Sequence, residues 1–156
     1  MFFCQEEGTV LSFHGLGQTI ARHGLFCANY TDRGRHYFHT PKAGGKVDRS
    51  NPTQFGRALA QLGIEHIAAY SPEARGRSER KFGTHQERLP RELAKARVTD
   101  MQQANAYLER VYLPSHNTEF GVPAAEPGSA FVPYIGSGLA DILSEQHKRT
   151  VSNDIS

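Results

Sequence analysis

At 156 residues the chain has the length of one domain with room for a tail, and its hydrophobic fraction of 38% allows a core but not a rich one. No apolar run reaches the length of a membrane span, the first residues lack the basic start of a signal peptide, and two distant cysteines, Cys4 and Cys27, point to a reduced, cytosolic chain without a disulfide framework. The net charge of +2 hides an uneven spread: residues 22–49 hold six Lys and Arg against two acids, residues 75–97 eight against three, and residues 98–156 three against seven, a pattern shared by a phosphate-binding face and by a merely solvated one.

Residues 1–7 are apolar at first and read as a strand. They open on core-like residues without a polar lead-in, so further strands are expected ahead of them. Thr9 is positioned to cap a helix running to about His23, with Val10, Phe13, Leu16 or Gly17, and Ile20 as its apolar stripe and Gly24 as its stop. Residues 25–30 form the next strand, ending at Thr31 and Asp32. Residues 33–50 are a polar loop with room for a short strand at 36–39. Asn51, Pro52 and Gln54 give a helix start as N-cap, first and third helical residues; Phe55, Ala58, Leu59 and Leu62 share a face, and Gly63 ends it.

A strand over residues 64–70 follows. It runs into Ser71-Pro72 and a basic loop, and the next helix carries Glu79 near its start. That helix is expected to reach about Arg88, before Leu89-Pro90 disturbs it. Thr99 to Gln102 is a capping box that opens another helix, with Met101, Ala104, Leu108, Val111 and Tyr112 on one face and Pro114 as its stop. Residues 121–138 are rich in Pro and Gly and read as an extended linker, and Leu139, Ile142 and Leu143 begin a short helix. Strand, helix, strand, loop, helix, strand, helix, helix is an α/β order.

Two stretches carry chemistry. In Asn29-Tyr30-Thr31-Asp32-Arg33-Gly34-Arg35 an acid follows a strand and precedes a glycine turn. In residues 69–83 Glu79 sits among Arg75, Arg77, Arg80 and Lys81. An acid surrounded by cations at a strand-loop-helix junction suggests a metal ligand beside a polyanion. Taken singly, Asp32 is as well explained as a turn acid and Glu79 as a solvated helix acid. His36 and His39 with Cys4 and Cys27 match no zinc spacing and read as ordinary core or turn residues; Tyr70 reads as a packing residue, with stacking on a base as the alternative. Gly44-Gly45 lacks the pattern of a nucleotide loop.

Together the two stretches resemble the integrase catalytic core of bacterial insertion-sequence transposases, relatives of retroviral integrases. Thr31-Asp32-Arg33-Gly34 matches the family motif T-D-x-G, which carries the second catalytic Asp. Ser71-Pro72 through Gly76 to Glu79 matches S/N-P-x-x-x-G-x-x-E, which carries the catalytic Glu. The resemblance implies a ribonuclease-H-like core, a mixed sheet flanked by helices, across residues 1–120. Residues 121–138 would then be a linker, and 139–156 the start of a C-terminal segment. It implies metal-dependent DNA cleavage and strand transfer, with Asp32 and Glu79 as catalytic metal ligands for Mg²⁺ or Mn²⁺. Arg75, Arg77, Arg80 and Lys81 would contact phosphates of element and target DNA. Homo-oligomerisation and nucleoid association in the bacterial cytoplasm belong to the same implication.

The family's first catalytic Asp has no counterpart, because no Asp precedes Asp32. A core lacking its first strand, weak in metal binding and in transposition, is therefore expected. Other readings stay open: an enzyme in which Glu6 or Glu7 replaces that Asp, a non-catalytic DNA-binding module, or a decayed gene product. Arg35 stands where the family has a small residue, and either a phosphate contact or crowding of the metal site would follow.

Overall fold

The computed structural model describes residues 1–42, 44–71 and 76–149, apart from the side chain of Arg77. The chain divides into two compact units, one of Gly8–Ile67 with the segment from Phe131 on, the other of Met1–Glu7 with Ala68–Ala130.

The first unit begins with α1, Thr9–His23. Phe13, Leu16 and Ile20 recur at helical spacing and are buried, whereas Val10 lies on the open side. Thr9 is not the cap: Gly8 holds that position without a side-chain bond, and Thr9 is the first helical residue. Gly24 ends the helix at φ 97°, and its N–H donates to the carbonyl of Ile20 at 2.8 Å. Leu25 then pairs with Val132 through two backbone bonds of 2.7 and 2.9 Å. A Cβ on Gly24 would run into the Val132 carbonyl and force an L residue into left-handed backbone. Gly24→Ala is thus expected to cost roughly 1–3 kcal/mol, read as a lower denaturant midpoint with an unchanged slope.

Strands β1 (Ala28–Thr31) and β2 (Glu65–Ala68) form a two-stranded parallel sheet. Each is shorter than the sequence suggests. Helix α2 (Gln54–Gln61) lies between them in the chain, as a parallel crossover requires. Its cap is Thr53 rather than Asn51. The Thr53 hydroxyl donates to the Tyr37 carbonyl at 2.8 Å and accepts the Gly56 N–H at 3.2 Å, so a long-range contact selects the cap. Phe55, Ala58, Leu59, Leu62 and Ile64 close a core with the α1 stripe. Leu139, Ile142 and Leu143, in and after α6 (Leu139–Ile142), pack against that same core. Arg57 holds them there by donating to the carbonyls of Ile142 and Ser144.

The second unit is helical. Helix α3 (Gly76–Lys95) contains Pro90 and passes through it, contrary to the expected break near Arg88. Proline removes one i→i−4 bond, at a cost of about 3 kcal/mol. Burial of Leu89 and Leu93 on either side of Pro90 gives the helix reason to continue. Asp100, not Thr99, caps α4 (Met101–Tyr107) by accepting the Gln103 N–H at 2.8 Å. A π-helical turn (Leu108–Tyr112) leads directly into α5 (Leu113–Phe120), so Pro114 does not end the helix. Ala104, Leu108 and Tyr112 face the core, while Met101 and Val111 are exposed.

Residues 1–7 have no regular secondary structure. A strand needs a ladder, and here Phe3 uses a side chain instead. Its N–H donates to Asn105 Oδ1 at 2.7 Å, and its carbonyl accepts from Asn105 Nδ2 at 3.1 Å. Among the described residues the architecture is α/β, with a small parallel sheet and several helices.

Candidate functional site

Asp32 follows β1 at the start of a tight turn. Its Oδ1 accepts the Gly34 N–H at 2.9 Å, and the Gly34 carbonyl accepts the N–H groups of Tyr37 and Phe38, both at 2.9 Å. A Cβ on Gly34 would stand 3.0 Å from that carboxylate oxygen, tight enough to disturb the turn. The loop beyond is organised. Arg33 donates to the carbonyl of Gly45 at 3.0 Å, and His39 bridges Asp48. The expected short strand at 36–39 is a turn followed by that bridge. Arg35 is exposed.

His66 of β2 supports the Asp32 turn from beneath. Its Nε2 lies 2.9 Å from the Thr31 hydroxyl, which donates to the Asp32 carbonyl at 3.0 Å. Both bonds are satisfied when the His66 proton sits on Nε2. The ring stacks on Phe38 at 4.0 Å and meets Tyr37 and Phe55 edge-on. Burial, then the charge of Arg49, pushes the His66 pKa from about 6.5 down to about 4. The unfolded chain therefore binds a proton that the folded one refuses. The stability His66 gives is complete above about pH 6.5 and is lost as pH falls toward 4. Thermal melts across that interval are expected to show a falling midpoint, and His66→Phe a shallower fall; an equal slope in both would refute it.

Glu79 lies in the first turn of α3, where a negative charge complements the helix dipole. It is exposed, as are Arg80 and Lys81. Arg80 Nε donates to the Gly76 carbonyl at 3.1 Å. Arg75 lies outside the described residues, and of Arg77 only the backbone, within α3, is described. Asp32 and Glu79 fall in different units. Among the described residues no three His, Cys, Asp or Glu side chains converge as a metal ion would require. Asp32 and Glu79 are two carboxylates, and a divalent cation takes about six or more oxygen ligands, so further oxygens would have to complete any site built on them.

Two arrangements escape the sequence reading. One is the His66–Phe38–Tyr37 cluster beside Asp32. The other joins α3 to α5. His85 Nδ1 and the Tyr112 hydroxyl share a hydrogen bond of 2.9 Å, and the His85 and His116 rings lie 4.5 Å apart. His116 is 3% exposed, and neither ring nitrogen has a hydrogen-bond partner among the described residues. Burial pushes the pKa of both histidines down, assisted by Lys81. The four-residue spacing of Tyr112 and His116 was the available signal. Cys4 and Cys27 are exposed rather than core residues, and Tyr70 is likewise exposed.

No family model matches the chain, and no solved structure matches it. It is similar to two curated transposases. One is the putative transposase y4bF of Sinorhizobium fredii, 32% identical over 151 residues, covering 96% of this chain and 32% of the relative. The other is the transposase for insertion sequence IS1202 of Streptococcus pneumoniae, 33% identical over 120 residues, covering 77% of this chain and 26% of the relative. The chain thus spans about a third or less of the curated relatives it matches. No described helix is long and apolar enough to cross a membrane.

Proposed function

We propose that this chain is part of the integrase-type catalytic region of an insertion-sequence transposase, with a ribonuclease-H-like core as its parent fold. The observation that carries the reading is the coincidence of two things. The chain is similar to one curated transposase over 96% of its length and to a second over 77%, and its two motif acids sit at a strand end before a glycine turn and in the first turn of a helix. In the parent, Mg²⁺ or Mn²⁺ would supply the Lewis-acid chemistry of DNA cleavage and strand transfer. Asp32 and Glu79 would be two of its ligands, with a first Asp supplied from outside this sequence. Residues 1–120 would belong to the catalytic core, and Arg75, Arg77, Arg80 and Lys81 would lie along DNA phosphates. Self-association and a place at the bacterial nucleoid follow from that parent activity.

The chain alone, with two of three acids, should bind DNA but nick it little. The decisive experiment measures fluorescence anisotropy on labelled DNA at low salt beside a Mg²⁺-dependent nicking assay, with Asp32→Asn and Glu79→Gln as controls. Binding that persists in both variants without nicking supports a DNA-binding part of a larger catalytic region. Mg²⁺-dependent nicking abolished by Glu6→Gln or Glu7→Gln would mean that another acid completes the site. Absence of DNA binding would remove the reading.

A further inference from the structure

A cavity of about 280 Å³ opens beside the Asp32 turn, within the first unit, and its walls are unlike a simple crevice. Tyr37, Phe38 and the stacked His66 line it with flat rings, and Arg49, Asp48 and Glu65 bring donors and acceptors to it. The volume sits just below the range of about 300–1,000 Å³ typical of small-molecule sites, which suits one flat heterocycle rather than a larger ligand. Its place is also specific. His66 reaches Thr31 at 2.9 Å, so the cavity wall and the strand that presents Asp32 are joined by a hydrogen bond.

Gly56 supplies the second observation. It lies inside α2, where glycine is unfavourable relative to alanine, and it lines the cavity. A Cβ there would stand 3.5 Å from Pro52 Cβ and Thr53 Oγ1 and 3.7 Å from His66 Nδ1. Those are ordinary van der Waals distances, so packing among neighbours does not require glycine. What the missing side chain does provide is open volume.

We propose that this cavity takes a single unstacked nucleobase of a DNA strand. The proposal rests on the DNA-binding reading above and extends it from phosphate contact to a base subsite. Every base has a face for an aromatic wall and an edge bearing donors and acceptors, which matches the lining. At the cavity itself Arg49 stands with Asp48 and Glu65, and along the chain residues 22–49 carry six Lys and Arg against two acids, the cations on which the sugar-phosphate chain on either side of the base would draw.

The test uses the full chain, a labelled oligothymidylate of about 12 nucleotides, and an abasic oligomer with the same number of phosphates. Equal phosphate counts hold the electrostatic contribution constant, so the difference reports the base. Thymidylate is expected to bind about tenfold more tightly than the abasic oligomer. Gly56→Ala should raise the melting temperature, lower thymidylate affinity several-fold, and leave abasic affinity unchanged. Gly56→Leu should erase the difference between the two oligomers. A misfolded variant cannot gain stability while losing one ligand selectively. Equal affinity of the wild-type chain for both oligomers, with salt-sensitive binding retained, would overturn the base subsite and leave the DNA-binding reading standing. Loss of both ligands equally in Gly56→Ala would overturn it as well. Absence of binding to either oligomer would overturn both.

Discussion

Replacing Leu59 with Ala is expected to destabilise the unit built on α1 and α2 by about 2–5 kcal/mol. Leu59 is fully buried, with Phe13, Leu16, Ile20 and Phe55 in the same core. Removing its branched end loses the transfer energy of the deleted groups and leaves a cavity that a helix-on-helix core relaxes into only partly. Leu108, 1% exposed, holds the matching place in the other unit, beside Leu89 and Tyr112. Leu108→Ala should therefore cost a similar amount there. Amide hydrogen exchange separates the two effects. Leu59→Ala should lower protection in α1, α2 and β2, and Leu108→Ala in α3 and α4. Equal loss everywhere in both variants would mean that the chain unfolds as a single cooperative block.

The second large effect concerns salt. Suppose Arg75, Arg77, Arg80 and Lys81 each neutralise one phosphate. The affinity for duplex DNA then falls with salt at a logarithmic slope of about −3.6. Going from about 50 to about 200 mM salt would weaken binding on the order of 100-fold. Arg80→Ala combined with Lys81→Ala should make the slope shallower by about 2 and weaken binding to all sequences alike. Anisotropy titrations at several salt concentrations measure both quantities. A wild-type slope near zero, or a double variant with an unchanged slope, would remove these side chains from the interface. The acids make a contrasting pair: Asp32→Asn and Glu79→Gln should leave the slope unchanged.

Much of the fold was legible because local and global signals agree. The α1 stripe, the α2 face and the Gly24 and Gly63 stops all rest on periodicity and glycine chemistry, which neighbouring residues decide. The errors cluster where a distant partner decides. Asn51 has the better cap composition, but only Thr53 also reaches the Tyr37 carbonyl. Pro90 and Pro114 read as stops, yet the burial of Leu89, Leu93 and Tyr112 keeps both helices going. Phe2 and Phe3 look like strand residues, but among the described residues no ladder forms there, and Asn105 stands in for one at Phe3.

Of the candidate site, the Asp32 turn was readable from Thr31 to Gly34 because its geometry is local. The role of His66 was not, since it depends on Phe38 and Thr31, and Thr31 lies 35 positions away.

The π-helical turn at Leu108–Tyr112 has a consequence for matching this chain to others. An α-helix advances about 100° per residue, so a wide turn that holds one extra residue is, in register, a single inserted letter. A related helix without that letter would carry much the same apolar composition and look alike in a gap-free alignment. Yet its downstream half would be rotated by about 100°, and the residue aligned with His116 would point away from His85. Transferring a role along α5 by counting positions is therefore safe only where the gap is placed within residues 108–112.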